Sequence, residues 1–320
     1  MLVKSIFLIF IGFVLLIKGA DYLVEGSSKI AKKFHIPEII IGLTIVSIGT
    51  SMPELFVSTT SAIDGFSDMA MGNVIGSNLC NLLLILGLSS VIRPIEFQRE
   101  TRIIELPLCL FFSIIFLVLS NTGGKITREE SLILICLFVC FIAYTIFMAK
   151  KGEAFDKIDN EEKLLTKVPE IPILKNIFSI IIGVIALKIG GDFTVDNAVI
   201  IAEYFKISEQ IISLTILAVG TSLPELVTSV MAASKGNSDI AIGNIIGSNI
   251  FNMLLIIGVS ALISPITYNL KYNLDMTIFV VAMLILALFP LIPPKNKMSR
   301  VNGAIYLSLY VGYLGLMFIV

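Results

Sequence analysis

Three observations predict an all-α polytopic membrane protein with about ten transmembrane helices, arranged as two inverted five-helix repeats. The 320-residue chain is 56% hydrophobic and 15% charged, with a mean hydropathy of +0.97, against roughly 45–50% apolar and about 25% charged residues in a soluble domain. Apolar stretches long enough for the ~20 helical residues that cross a ~30 Å hydrocarbon core recur along the chain. The second half also repeats the first, and an odd number of spans in each copy makes the second enter the membrane upside down.

The predicted spans fall near 5–24, 38–62, 69–92, 103–120, 131–149, 174–202, 208–232, 240–263, 275–292 and 301–319. The first is kept as a span rather than a signal peptide. Lys18, Gly19 and Asp21 follow its apolar run where a small-residue cleavage site would lie, and its pattern recurs mid-chain. The one sizeable polar connector, 150–172, mixes both charge signs with Pro169 and Pro172 and is too short for a folded regulatory domain. The chain therefore reads as a single membrane domain, with repeat one at 1–149, the linker at 150–172 and repeat two at 173–320.

Lys and Arg crowd into one alternate set of loops, around 29–33, 93–102, 150–175, 235 and 295–300; the other set holds only Lys4, Lys125, Arg128, Lys206 and Lys271. This asymmetry of roughly three to one places both termini outside the cell membrane and the 150–172 linker in the cytoplasm. Lys18 and Lys188 fall within spans and are expected to snorkel to an interface.

A net charge of −1, from 23 basic and 24 acidic residues, leaves no basic excess for nucleic acid. The single His35 excludes most imidazole-based metal or acid–base chemistry. Cys80, Cys109, Cys136 and Cys140 lie in apolar runs without metal-ligand spacing and read as small core residues outside any disulfide framework.

With a shift of 171 positions, residues 36–95 overlay 207–266 without a gap, at roughly 34 of 60 identities. Gly49-Thr50-Ser51-Met52-Pro53-Glu54 falls on Gly220-Thr221-Ser222-Leu223-Pro224-Glu225. Gly72-Asn73-Val74-Ile75-Gly76-Ser77-Asn78-Leu79-Cys80-Asn81 falls on Gly243-Asn244-Ile245-Ile246-Gly247-Ser248-Asn249-Ile250-Phe251-Asn252. Gly12, Gly19 and Asp21 match Gly183, Gly190 and Asp192 more weakly. Apolar bias repeats Leu and Ile; it does not repeat Thr, Ser, Pro, Glu and Asn at fixed spacing.

Glu54 and Glu225 stand near the middle of apolar spans, where a charge costs about 2.5–3.5 kcal/mol on insertion scales. No Lys or Arg lies at matching depth in the motif helices, so the natural counter-charge is a transported cation or a proton. A permanently protonated, hydrogen-bonded carboxyl is the alternative. Pro53 and Pro224 each remove a helical hydrogen bond and push Met52 and Leu223 away from helical angles, freeing carbonyls around Gly49–Thr50 and Gly220–Thr221. Free backbone at membrane depth is tolerated where it lines a cavity or meets a ligand, although a packing kink would also account for it. Carbonyl and carboxylate oxygens are the ligands that hard cations prefer.

In the second motif Asn73, Ser77 and Asn81 share a helical face, as do Asn244, Ser248 and Asn252. Interhelical hydrogen bonding is the alternative reading for that face, most of all for Asn73 and Asn244. Gly72, Gly76, Gly243 and Gly247 let helices approach closely. Two glutamates among amides make a pocket of charge about −2, neutralised by one Ca²⁺ or by two monovalent ions. Competition for the same carboxylates forces alternate binding, which is the requirement for exchange. Flexible oxygen ligands favour Ca²⁺ over Mg²⁺, which gives up its water reluctantly.

These motif pairs resemble the α-repeats of the calcium/cation antiporter superfamily, and the Gly-Thr-Ser-x-Pro-Glu form resembles its sodium/calcium exchanger branch of prokaryotic, two-α-repeat type. The resemblance implies two inverted five-helix halves, one calcium site between four sodium-type positions, and Na⁺ moving inward as Ca²⁺ is extruded. Carried onto this chain, it implies that Glu54 and Glu225 bridge the calcium and sodium sites, with the carbonyls of Thr50 and Thr221 completing calcium. Ser51, Ser77, Ser222 and Ser248, with the carbonyls of Ser47 and Ala218, would serve sodium, and Asn81 and Asn252 would line the middle. Some relatives, notably potassium-dependent ones, carry Asp where this chain has Asn252, so the resemblance leans against potassium coupling. It also implies sliding of the first and sixth helices, which Gly19 and Gly190 fit.

The chain is thus expected to be a secondary-active Na⁺/Ca²⁺ antiporter that works by alternating access, with the lipid bilayer, Ca²⁺ and Na⁺ as its partners. Neither a cofactor nor an obligate protein partner is expected. Extrusion is electrogenic if more than two Na⁺ exchange for each Ca²⁺. The nearest rival is a proton-coupled Ca²⁺/H⁺ exchanger, which the two central asparagines would also suit. A passive cation channel would need similar ligands. An intramembrane hydrolase lacks a Ser/His pair or a metal motif.

Overall fold

The computed structural model describes residues 2–160, 173–205, 218–291 and 295–317. Its helices are α1 (Leu2–Phe34), α2 (Glu38–Thr50), α3 (Met52–Ile63), α4 (Ser67–Ile92), α5 (Thr101–Asn121), α6 (Arg128–Asn160), α7 (Ile173–Tyr204), α8 (Ala218–Gly220), α9 (Leu223–Lys235), α10 (Ser238–Ile263), α11 (Tyr272–Leu288) and α12 (Arg300–Met317). Six are long and apolar enough to span a membrane, and α2 with α3 makes a seventh span bent by 50°. The apolar α11 has 17 residues and α12 has 18. The described parts of the ten expected spans fall on these helices, apart from the short turn at Phe289–Leu291 after α11; residues 292 and 318–319 of the last two spans lie outside the described residues. The start of the 208–232 stretch, with Lys206, and the 161–172 part of the linker lie outside the described residues. The beginning of that linker continues α6 as far as Asn160.

Position in the bundle follows composition. The α4 and α10 spans, which carry the Gly-Asn and Ser-Asn motifs, are 72% and 83% buried, whereas α1, α5, α6 and α7 are 17–39% buried. Their outward faces are Phe, Ile, Leu and Val, including Phe7, Phe10, Val139, Phe147 and Phe178, as expected for helices bathed in lipid tails. Cys80 and Cys109 are buried as expected, but Cys136 and Cys140 are exposed. They sit on the outward side of α6, where an apolar run facing lipid looks in sequence like one facing a core. Lys188 pairs with Asp192 one turn on, at 2.6 Å.

The inverted relation is visible in the contacts. Along α1 and α7, Gly12 faces Gly190 and Gly19 faces Gly183, so the two helices run antiparallel. A Cβ on Gly190 would stand 2.7 Å from the Gly12 carbonyl, and one on Gly183 would stand 2.8 Å from that of Gly19. Only glycine permits this approach. Two short antiparallel ladders each join one repeat to the other: β1 (Ile95–Glu96) pairs with β4 (Lys297–Met298), and β2 (Lys125–Ile126) pairs with β3 (Ile266–Thr267).

Inside, α2 crosses α10 at Gly42, Gly243 and Gly247, where a Cβ on Gly243 would lie 2.9 Å from the Gly42 Cα. The matching role expected of Gly76 has no described heavy atom within 4 Å; the segment equivalent to α2 lies mostly in the residues not described. Single π-type turns interrupt α2 at Gly42–Val46, α4 at Cys80–Ile85 and α10 at Asn252–Ile256. Such turns are uncommon and cluster at functional sites.

Candidate ion-binding site

The two Gly-Thr-Ser-x-Pro-Glu segments break their helices. The bend falls on Ser51 (φ −85°, ψ 10°) and Ser222 (φ −88°, ψ 8°), one residue before the expected Met52 and Leu223, each of which begins the next helix. The shift has a simple cause. With the break at Ser51, Pro53 occupies the first turn of α3, where a missing amide hydrogen costs no bond. The backbone bonds across the first break run from Ser51 N to the Ser47 carbonyl (3.0 Å) and from Leu55 N to the Ser51 carbonyl (3.2 Å), skipping Gly49 and Thr50. In the second repeat Leu226 N bonds the Ser222 carbonyl at 2.9 Å. Ala218 opens α8.

The first turns of α3 and α9 hold Glu54 and Glu225, each 1% exposed. Each is met by the serine of the opposite repeat: Ser51 donates to Glu225 Oε1 at 2.7 Å, and Ser222 donates to Glu54 Oε1 at 3.4 Å. The four ion pairs formed among the described residues, Lys29–Glu25, Lys188–Asp192, Lys235–Asp21 and Lys271–Asp68, all lie elsewhere. Among the described residues, then, two carboxylates share a buried site without a basic partner, an arrangement that is costly until a cation or proton joins it.

The serine and asparagine face has two parts. Asn73 donates to Ser58 Oγ (2.9 Å) and the Glu54 carbonyl (3.4 Å), and accepts from the Thr221 hydroxyl at 3.3 Å. Asn244 repeats this with Ser229 (2.9 Å), the Glu225 carbonyl (3.5 Å) and the Thr50 hydroxyl (3.1 Å). Both threonine side chains are thereby tied to these asparagines. Deeper in α4 and α10, Asn81 Nδ2 donates to Asn249 Oδ1 at 3.1 Å, and Asn252 Nδ2 donates to Asn78 Oδ1 at 3.0 Å. Asn78 also donates to the Asn249 carbonyl at 3.4 Å.

Buried oxygens left without a hydrogen-bond partner include Glu54 Oε2, Glu225 Oε2, Ser77 Oγ, Ser248 Oγ, Asn81 Oδ1 and Asn252 Oδ1. Native interiors rarely leave such atoms unpaired without a functional reason. Here they come in repeat-related pairs and are all potential cation ligands. Among the described residues no three Asp, Glu, His or Cys side chains cluster around one point, so an ion held here would rely on hydroxyl, amide and carbonyl oxygen beside the two carboxylates.

Sequence reasoning missed the exchange of serines between repeats and the role of Asn78 and Asn249. Both asparagines are in the motif, but each follows its serine by one residue, about 100° around the helix, and so falls off the face that a four-residue period picks out.

Known proteins agree with this architecture. The family model described as sodium/calcium exchanger protein matches residues 4–147 and again 175–319. The putative antiporter CaxA of Alkalimonas amylolytica is 38% identical over 321 residues, covering 99% of each chain. The sodium/calcium exchanger MaX1 of Methanosarcina acetivorans is 31% identical over 99% of each chain. A solved structure of the sodium-calcium exchanger NCX_Mj, soaked with zero Na⁺ and Ca²⁺, superposes with a TM-score of 0.85 at 30% identity, covering 99% of this chain and 100% of that one. A multi-pass helical membrane protein built from two inverted repeats, with paired buried carboxylates at two broken helices, this chain belongs to the sodium/calcium exchanger family of antiporters.

Proposed function

We propose that this chain moves Na⁺ inward in exchange for Ca²⁺ outward across the cell membrane, with both termini outside and the 150–172 linker in the cytoplasm. Residues 1–320 act as one transport domain. The observation that carries the reading is the set of paired, buried, unpartnered oxygens around two uncompensated glutamates. Glu54 and Glu225 would be shared by both ions, since a charge of about −2 is neutralised by one Ca²⁺ or two Na⁺. The carbonyls of Thr50 and Thr221 would complete calcium. Ser51, Ser77, Ser222 and Ser248 would serve sodium with the carbonyls of Ser47 and Ala218, and Asn81 and Asn252 would offer their amide oxygens between the two halves. A third Na⁺ per cycle would make extrusion electrogenic.

Alternation follows from the electrostatics. An empty site leaves two buried like charges, so crossing the membrane is favourable only when the site is loaded. The glycine seam holds α1 tightly against α7, so the two helices would slide over the core as one unit. The second reading, a proton-coupled Ca²⁺ exchanger, is favoured by the neutral Asn81 and Asn252, which hold no charge to attract further Na⁺. Proteoliposomes separate the two. Outward Na⁺ gradients at clamped pH are expected to drive Ca²⁺ uptake; uptake driven by a proton gradient without Na⁺ would establish the rival.

A further inference from the structure

Asn78 and Asn249 lie off the helical face that carries the candidate ligands, yet each is 1% exposed and each meets the ligand asparagine of the opposite repeat. The chemistry of an amide gives that contact a purpose. A carboxylate presents oxygen to a cation by either end, whereas an amide has one oxygen end and one N–H end. The terminal torsion of asparagine is soft and roughly two-fold, so the side chain serves as a cation ligand only when something else decides which end faces the ion. The empty site pulls the wrong way, since buried carboxylates attract N–H donors.

The bonds around Asn252 make that decision. Its Nδ2 donates to Asn78 Oδ1 at 3.0 Å, and its Oδ1 has no hydrogen-bond partner. Asn78 is oriented in turn, because its Nδ2 donates to the Asn249 carbonyl at 3.4 Å. A backbone carbonyl only accepts, so the end of Asn78 that faces it has to be the nitrogen, and the end left for Asn252 has to be the oxygen. Turning both amides together would keep the bond between them but set the Asn78 oxygen against the Asn249 carbonyl. The repeat-related pair lacks this anchor: Asn81 Nδ2 donates to Asn249 Oδ1 at 3.1 Å, but Asn249 Nδ2 is buried without a partner.

We propose that Asn78 is a positioning residue for ion binding, which holds the Asn252 amide with its oxygen toward the transported cation and its N–H groups away. The proposal rests on the reading of Asn252 as an ion ligand. Asn78 acts through Asn252, both ends of its own amide being engaged with α10. In its absence the Asn252 amide is free to turn its N–H end to the site. Binding a cation then has to reverse it, and the apparent affinity falls by the fraction of chains in the competent orientation.

The test is Ca²⁺ binding to the full-length chain in Na⁺-free detergent solution, followed by calorimetry in a double-mutant cycle of Asn78→Leu with Asn252→Asp. Asn78→Leu keeps the volume and removes the amide, and it is expected to weaken Ca²⁺ binding between about two- and tenfold, the worth of one neutral hydrogen bond. Asn252→Asp offers oxygen by either end, so in that background Asn78→Leu is expected to weaken binding by less than about twofold. A loss of purely structural origin would instead carry over to both backgrounds. Should Asn78→Leu not run as a single species in size-exclusion chromatography, Asn78→Ala takes its place with the same expectations. Asn252→Leu separates the two readings. Ca²⁺ affinity equal to the parent's in that variant would overturn the ligand role on which the proposal rests. A loss in Asn252→Leu with none in Asn78→Leu, or a weakening of about twofold or more by Asn78→Leu in the Asn252→Asp background, overturns the positioning role alone.

Discussion

Replacing Glu54 by Gln preserves volume and the oxygen that accepts from Ser222, and removes one of two buried negative charges. Without an ion those charges repel one another, so the ion-free variant should be no less stable than the parent. With Ca²⁺ the balance reverses, because the ion loses half its neutralising charge in a dry site. Removing one partner of a buried charge pair typically costs about 3–5 kcal/mol, which is a loss of more than about a hundredfold in affinity. Thermal unfolding in detergent, with and without Ca²⁺, reads both effects. At a Ca²⁺ concentration 100 times the parent's dissociation constant, the parent gains about 2.7 kcal/mol, and the variant with hundredfold weaker binding gains only about 0.4 kcal/mol. A variant stabilised by Ca²⁺ as strongly as the parent would refute the reasoning, as would one that is markedly less stable without Ca²⁺.

Four other outcomes are expected. Glu225→Gln should weaken Ca²⁺ binding as Glu54→Gln does, since the repeats place both carboxylates in one buried site; Ca²⁺ affinity equal to the parent's by calorimetry would remove Glu225 from the site. Asn78→Ala removes the acceptor that turns the Asn252 amide. Loss of one neutral hydrogen bond is worth about 0.5–1.5 kcal/mol, so Ca²⁺ or Na⁺ affinity should weaken between about two- and tenfold, and an unchanged affinity would remove Asn78 from the site. Gly190→Ala drives a Cβ to 2.7 Å from the Gly12 carbonyl and 2.9 Å from Leu16 N. Overpacking of this kind costs about 1–3 kcal/mol, and exchange in proteoliposomes should slow while Ca²⁺ binding persists. Lys235→Gln breaks the contact with Asp21, about one-third exposed; partly exposed pairs are worth within about 1 kcal/mol, so thermal stability should move by no more than that.

Much of the architecture is legible in the chain because lipid imposes few solutions. Apolar run length marks the spans, and exact repetition of polar residues in apolar surroundings marks the inverted halves and both glutamates. Burial depth is not legible in that way: Cys136 and Cys140 sit in runs as apolar as those around Cys80 and Cys109 but face outward, since lipid and protein core select the same side chains. Local geometry is only half legible. Pro53 announces a broken helix, yet the break falls at Ser51 because a proline is better placed just inside a new helix than at the fracture. The serine exchange between Ser51 and Glu225, and the pairing of Asn78 with Asn252, join residues about 170 positions apart and depend on how the α2–α3 break meets α9 and how α4 meets α10. A helical period describes one helix and carries no information about its partner.

The central claim is that Na⁺ and Ca²⁺ compete for one pair of carboxylates, and Ca²⁺ binding to the purified chain measured across a series of Na⁺ concentrations at fixed pH and ionic strength tests it directly. Linkage requires the apparent Ca²⁺ dissociation constant to rise with Na⁺, reaching a log–log slope of about two or more, the number of Na⁺ displaced. A Ca²⁺ affinity indifferent to Na⁺, with choline as the balancing cation, would contradict it.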